Sequence, residues 1–492
     1  MLAWFGNLPL TAKVVLVTAS LAGLTAGGWG VLDWNGDRDD CGDARGGVKR
    51  HDGECVGVTD GSAKPFHPAL KNIQEKIHAE NKRVDSQPDM AKVSIVYLAP
   101  MSVTAKDPTT LAGARHQLEG AYLAQVLLNE RSGNTPGVRA QPQIKLLLAN
   151  AGAQSGQWEH AVKQIQGRTG TSDKVVGVAG LGPSTETTRA AMSRLAEHRI
   201  PMVGSIFSAP EIRGGDGRRL DARDGLFRVS PTNTDEVDAL LKAVPPKGRI
   251  FLVQDNDRND IYAQDMAQRF LAARVPGTQT EAYVTDENGR PAGGNAFLWI
   301  RSQLCGDGDV WIFFAGRGKQ LQAMLETFAD NPCVGQKMTI VSGDDALNID
   351  WSAPKVKRAL SKDITLKYAG LAHPEQWTNQ PGFGAAFTTF ASAHSQHGFK
   401  QADLIDGTSM MAYDSVLTLA TAIRNGAGNT STEGVQGMLL QLHHKNHVQG
   451  ASGRIDLDNA TGKAVNKAVP ILQLTPQGVR AATVAWPSGK PS

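Results

Sequence analysis

Short apolar runs alternate with longer stretches whose apolar residues recur every three or four positions, and from residue 91 this alternation organises most of the chain. Val93-Ser94-Ile95-Val96-Tyr97-Leu98 reads as a buried strand, and Leu118 to Asn129 follows at helical spacing. Ile144 to Ala149 is a second strand, followed by a helix around Trp158 to Ile165. Val175 to Ala179 is a third strand, joined through Gly182-Pro183-Ser184-Thr185 to a helix running through Glu197, and Pro201 to Gly204 is a fourth. Strands and helices alternating at this rhythm predict a parallel, doubly wound sheet.

The rhythm restarts at Arg249. Arg249 to Gln254, Val310 to Phe314 and Met338 to Ser342 read as strands, and Ile261 to Ala273 and Lys319 to Ala329 as helices. A long helix, Thr408 to Asn425, precedes a β-rich stretch from Gly453 to Val484. Two series of similar size predict two α/β lobes. Ligands of such sheets bind beyond the carboxyl ends of the strands, where loops meet helix N-termini. Between the series, residues 211 to 225 are rich in Gly, Arg and Asp and read as a surface loop.

Ahead of residue 91 the pattern differs. Val14 to Leu32 carries no charge, Lys13 precedes it, and Asp33, Asp37, Asp39 and Asp40 follow. At ~1.5 Å rise per residue such a stretch spans about 28 Å, close to a bilayer core. Lys13 and the amino terminus place the preceding residues on the cytoplasmic side and the rest outside. Residues 1–32 are therefore expected to anchor the chain in the cell membrane. A cleaved signal segment, giving a secreted protein, and a buried helix are the alternatives. Leu24 near Ala26 suits cleavage poorly, and Asp39 and Asp40 before Cys41 leave no lipid-attachment motif. Residues 33–90 read as a juxtamembrane segment, Gly- and Asp-rich at first. It carries an amphipathic helix from Pro68 to Asn81 with Leu70, Ile73 and Ile77 on one face.

Composition narrows the function classes. With 492 residues, 41% of them hydrophobic, the chain suits two or three domains with sizeable cores. Lys and Arg number 51 against 48 Asp and Glu, which gives no basic footprint for nucleic acid. The four cysteines fall into two local pairs, Cys41 with Cys55 and Cys305 with Cys333, at spacings unlike a tight zinc pattern. On an outward-facing domain they are expected as two disulfides. Cys305 precedes the strand at Val310 and Cys333 follows the next helix, so one strand-plus-helix unit returns the chain to its start. His443, His444 and His447, and His394 with His397, lack carboxylate or Cys partners nearby and read as solvated helix ends rather than metal ligands. No phosphate-binding P-loop, G-x-S-x-G or H-E-x-x-H motif occurs, and Gly180-Leu181-Gly182 lacks the third glycine of a dinucleotide fingerprint. The reading is a binding protein, not an enzyme, without cofactor or metal.

Three strand ends carry candidate chemistry. In Gly182-Pro183-Ser184-Thr185-Glu186-Thr187-Thr188 the hydroxyls either cap the helix or join its N–H groups in holding an anion. Gly204-Ser205-Ile206-Phe207-Ser208-Ala209-Pro210-Glu211 again ends a strand in small hydroxyl residues. Val341-Ser342-Gly343-Asp344-Asp345 places two carboxylates where they either cap a turn or receive a ligand ammonium.

In order and spacing, residues 91 to about 485 resemble the branched-chain amino-acid and amide binding proteins of ABC transporters. The stretches carrying the likeness are AKVSIVYLAPMS, VAGLGPSTETTRAAMSRLAEHRIPMVGSIFSAPEI, LFRVSPTNTDEVDALL, RIFLVQDNDRNDIYAQDM, DVWIFFAGRGKQLQAML and GTSMMAYDSVLTLATAI. The block from Val178 to Ile212 is the most specific. The resemblance implies a type I periplasmic-binding fold: two Rossmann-like, doubly wound lobes joined by three hinge crossings, expected near Ser230, His373 and Gly450. One lobe is then 91–230 with 374–450, the other 231–373 with 451–485.

Carried over by position, the resemblance implies that Ser184, with Thr185 beside it, and Ser208 hold a ligand α-carboxylate, and that Asp344 receives an α-ammonium. Two positions depart from the pattern. Asn233 stands where the amino-acid binders have an acidic hinge residue, and the aromatic that covers their ligand is replaced around Arg317-Gly318. These departures leave room for another small polar or anionic ligand, since Arg317 offers a fork suited to carboxylate or phosphate. The implied function is an extracytoplasmic solute-binding protein that captures a small polar ligand, an amino acid or amide-like compound, in an interlobe cleft for an ABC permease. A membrane-tethered ligand sensor with the same fold is the alternative.

Overall fold

The computed structural model describes residues 41–490 apart from 44–46, 132–141, 246–247, 287, 379, 381–382 and 427. The expected anchor, Val14 to Leu32, lies outside the described residues. Among those described, no helix is long and apolar enough to cross a membrane.

The first half of the chain runs β1 (Val48–His51), β2 (Glu54–Thr59), α1 (Lys71–Asp85), β3 (Lys92–Ala99), α2 (Leu111–Arg131), β4 (Gln143–Asn150) and α3 (Trp158–Arg168). It continues through β5 (Val175–Gly180), α4 (Glu186–Glu197), β6 (Met202–Gly204), the short ladder β7 (Ile212–Arg213) and β8 (Arg219–Leu220), and β9 (Leu226–Arg228). These build one sheet in the order β1-β2-β4-β3-β5-β6-β9. Its last five members are mutually parallel.

The second half runs α5 (Asn233–Leu241), β10 (Arg249–Asp255), α6 (Ile261–Ala272), β11 (Thr278–Tyr283), α7 (Ala296–Leu304), β12 (Val310–Ala315), α8 (Gly318–Asp330), β13 (Met338–Ser342), α9 (Pro354–Leu360) and β14 (Ile364–Ala369). Then come α10 (Ala385–Gln396), α11 (Thr408–Asn425), α12 (Thr432–Leu439), β15 (Val448–Gly450), β16 (Gly453–Ile455), β17 (Val469–Thr475) and β18 (Gly478–Ala485). The second sheet has the order β11-β10-β12-β13-β14-β17-β18, parallel through β14 and antiparallel beyond.

Numbered by appearance, the five parallel strands of both sheets follow the order 2-1-3-4-5, the doubly wound pattern. Their near-continuous apolar sequences follow from having both faces covered. On β3, for example, Val93, Ile95 and Tyr97 enter the core under α2 and α11, while Val96 and Leu98 enter the opposite one with Val162 of α3 and Met192 of α4. The chain leaves the first sheet after β9, and returns after β14 so that α11 packs on α2. It passes back after β16 to lay β17 beside β14.

Two features differ from the sequence reading. Residues expected as a juxtamembrane segment are woven into the first lobe. The β1–β2 hairpin pairs antiparallel with β4. Asn81 of α1 donates to the Leu146 carbonyl at 2.8 Å and accepts from Gln125 of α2 at 2.8 Å. His394 is no solvated helix end: it is fully buried against Phe390 and Phe399, with Nε2 3.7 Å from Glu119. The disulfides form as expected, with Cα separations of 5.6 Å for Cys41–Cys55 and 5.4 Å for Cys305–Cys333.

Candidate ligand-binding cleft

The two sheets present equivalent strand ends to each other. Ser184 follows the third parallel strand of the first sheet and Ser208 the fourth; Arg317 follows the third of the second sheet and Asp344 the fourth. At β5 the turn is tight. Gly180, Leu181 and Gly182 take successive φ values of 94°, 74° and 82°. A leucine in that region costs on the order of 1 kcal/mol, a local strain that sets Ser184 at the head of α4. Ser184 Oγ accepts from the backbone N–H groups of Ser208 at 3.2 Å and Ala209 at 3.1 Å. Thr185 is the N-cap of α4, accepting from Thr188 N–H.

Across the cleft, Arg317 occupies the N-cap position of α8, whose Gly318 N–H donates to Asp345 Oδ2 at 2.7 Å, and is 6% exposed. Its guanidinium donates to Asp260 at 2.6 and 2.8 Å and to Asp345 at 3.0 Å, and stacks 4.6 Å over Tyr262. Burial opposes its charge, but Asp260 and Asp345 overcome that and hold it above its ordinary range. A further donor reaches the other lobe, bonding the Ser184 carbonyl at 2.9 Å. The fork expected for a ligand anion is thus committed to the protein, inside the interface. Ser208 Oγ donates to Asp344 Oδ1 at 3.4 Å, a second bond between lobes. Lys319 makes a third, to the carbonyls of Ala105 at 3.0 Å and Asp107.

Asp344 is buried and hydrogen-bonded to a residue the sequence reading did not single out, Glu236 on the first turns of α5. Its N–H donates to Glu236 Oε2 at 2.9 Å, and the two carboxyls also interact directly. Burial, then Asp345, pushes the Asp344 carboxyl up to about 7, with Arg317 opposing. Burial, then Asp344, holds Glu236 well above the usual carboxylate range. Asn233 lies one helical turn before Glu236, fully buried. Its N–H donates to the Ser208 carbonyl at 2.9 Å and its amide to Asp265 at 2.9 Å.

Ser184, Ser208, Asp344 and Arg317 line one inner cavity, whose volume is only about 20 Å³. That is of the size one water needs, far below the roughly 300 Å³ at which ordinary ligand pockets begin. Arg317 separates it from an outer chamber of about 490 Å³, which Thr185 lines together with Gln154, Thr187, Asn259, Thr285 and Gln320. In this arrangement the lobes are clasped over the inner site.

The fold is that of the type I periplasmic binding proteins. A leucine-binding protein from Thermotoga maritima matches over 80% of this chain and 99% of its own, at 17% identity and a TM-score of 0.57. A branched-chain amino-acid ABC transporter protein from Thermus thermophilus, solved with bound valine, matches over 80% and 96%, at 14% identity and a TM-score of 0.57. An ABC transporter substrate-binding protein from Aeropyrum pernix matches over 80% and 95%, at 16% identity and a TM-score of 0.58. By sequence, neither a family model nor a curated protein matches the chain.

Proposed function

We propose that this chain is an extracytoplasmic solute-binding protein that captures a small polar ligand between its lobes and delivers it to an ABC permease. One observation carries the reading. Polar groups from equivalent strand ends of both sheets converge on one cleft, Ser184 and Ser208 from one side and Asp344 and Arg317 from the other. Fold alone does not give function, so the argument rests on this site. The interlobe bonds of Arg317, Ser208 and Lys319 break and reform if the lobes move by hinge rotation, the usual motion of such folds. The hinge-linked lobes are taken as 91–230 with 374–450, to which the β1–β2 hairpin and α1 attach, and 231–373 with 451–485. The two disulfides agree with an oxidising, outward-facing setting. Ligand that binds only the folded protein raises its unfolding midpoint. A thermal-shift screen of the purified chain against amino acids, amides, amines and small anions should therefore yield a saturable rise for one class. No rise with any compound at millimolar concentration would remove the reading.

A further inference from the structure

The cleft is electrostatically incomplete, and the deficit has one sign. Around the inner cavity stand four carboxyl groups, Glu236, Asp260, Asp344 and Asp345, against one cation, Arg317. Arg317 is consumed by Asp260 and Asp345, which leaves Asp344 and Glu236 without a cationic partner of their own. Tyr262 hydroxyl, the remaining titratable group packed on the pair, is neutral over the physiological range, and Asp235 at the start of α5 adds negative charge.

The unpaired hydrogen-bonding atoms point the same way. Among the described residues, the buried side-chain atoms of the two cavities that have no partner are Asn348 Oδ1 in the inner one and Gln320 Oε1 at the outer one. Behind Asp344, Glu236 Oε1 is also unpartnered. All three are acceptors. Two N–H groups at the first lobe's strand end, those of Ser208 and Ala209, are already taken by Ser184 Oγ. An anionic group entering here meets surplus carboxyls, and two nearby N–H groups that are already taken; a donor-rich cation meets open acceptors. The outer chamber leans the same way, with Asp107, Glu186, Asp257, Asp260 and Asp286 against Lys106, Lys319 and Arg317.

Resting on the solute-capture reading above, we infer that the ligand is a small organic cation, an amine or guanidine without a carboxylate. Its charged group displaces a proton held between Glu236 and Asp344. The balance is simple: just above pH 7 the empty cleft carries one proton on the carboxyl pair, the ligand brings its positive charge, and the proton leaves to solvent. Buried carboxyls two to a site cannot both ionise without such a cation.

The test is calorimetric titration of the full-length chain with ethanolamine, putrescine and guanidine, set against glycine and leucine as zwitterions and acetate and phosphate as anions. At least one cation should bind, releasing about one proton at pH 7.5, as read from two buffers of different ionisation enthalpy. Its affinity should fall by up to about tenfold per pH unit on acidification, because acid restores the displaced proton. Glu236→Gln, close to isosteric, should abolish the proton release and weaken the cation about tenfold or more. Wild-type proton counts alone decide the case if that variant does not fold. Leucine, glycine or an anion binding as tightly as every cation would overturn the charge class and leave solute capture standing. Cation binding without proton release would overturn the exchange. No binding by any compound would remove the capture reading, and the inference with it.

Discussion

Asp344 is held by opposing forces that a pH titration can separate. Burial and Asp345 raise its carboxyl to about 7, while Arg317 pulls it down. An unfolded aspartate titrates near 3.9, so between about pH 4 and 7 the folded protein keeps a proton that the unfolded chain has lost. Stability from this group is therefore complete below about pH 4 and is lost as pH rises through about 7; Glu236, shifted in the same direction, adds to the decline. A carboxamide imitates the protonated acid. Asp344→Asn should accordingly be more stable than the parent at pH 7.5 by at least about 1 kcal/mol, with a flatter slope from pH 5 upward. Urea unfolding across that range measures both, and an unchanged slope would assign the proton elsewhere. Ser184, Ser208 and Asp344 were legible in the sequence because each follows a recognisable strand. Glu236 was not, although its signal exists. Asn233, Glu236, Val237 and Leu240 recur at helical spacing and are all buried, so an acid stands on a core-facing stripe. The commitment of Arg317 could not be read, because its partner Asp260 lies 57 residues away and sequence carries no pairing information over that distance.

Among elements, the β1–β2 hairpin shows how composition can mask a pattern. Its stretch is rich in Gly and Asp, yet Val48, Val56 and Val58 are fully or almost fully buried, and Asp52-Gly53 forms the turn between the strands. Asp-Gly is a strong hairpin signal between alternating apolar residues, but here Lys49, Arg50, His51 and Glu54 flank it and mask the alternation. The central strands were easier to place: runs such as Val175 to Gly180 are apolar throughout because both faces are covered. Short or half-polar strands such as β9 and β11 leave no such run; β11 has only Tyr283 buried. Cys41–Cys55 ties the hairpin to the residues before it, closing a loop with a sequence separation of 14. A loop of that length restricts the unfolded chain by about 3 kcal/mol in the entropic account. Replacing both cysteines by serine should cost up to that amount. It should also speed hydrogen exchange at β1 and β2 while leaving β12 and β13 protected. Equal exchange across both sheets would mean that the hairpin and the second lobe unfold as one unit.

At the scale of the molecule, two sheets of the same strand order face each other, and the passes between them must hold position while the cleft works. The second and third passes lie together: the Trp377 indole donates to the Ala451 carbonyl at 3.4 Å and the Gln376 amide to the Ser452 carbonyl at 3.5 Å. Beneath them is a buried trio, a carboxyl and an ammonium bridged by a serine hydroxyl. Asp414 on α11 accepts from Ala451 N–H at 2.6 Å, from Ser452 N–H at 2.9 Å and from the Ser452 hydroxyl. Lys467, just before β17, donates to Ser452 Oγ at 2.7 Å. All three side chains are fully buried, and Gly450 has no room for a Cβ against the Asp414 carboxyl. Burial lowers the lysine to about 8 and raises Asp414, while the mutual attraction of the two opposes both shifts. The trio thus links a helix of the first lobe to the strand that re-enters the second. Removing one buried charge strands the other, at a cost of about 3–5 kcal/mol, whereas removing both is close to neutral. Lys467→Met should therefore destabilise the protein by that amount, and adding Asp414→Asn should restore most of it. Chemical denaturation of the two variants beside the parent measures the difference. If Lys467→Met costs under about 1 kcal/mol, water or a shifted backbone already satisfies Asp414, and the pivot is held by Trp377 and the backbone bonds instead.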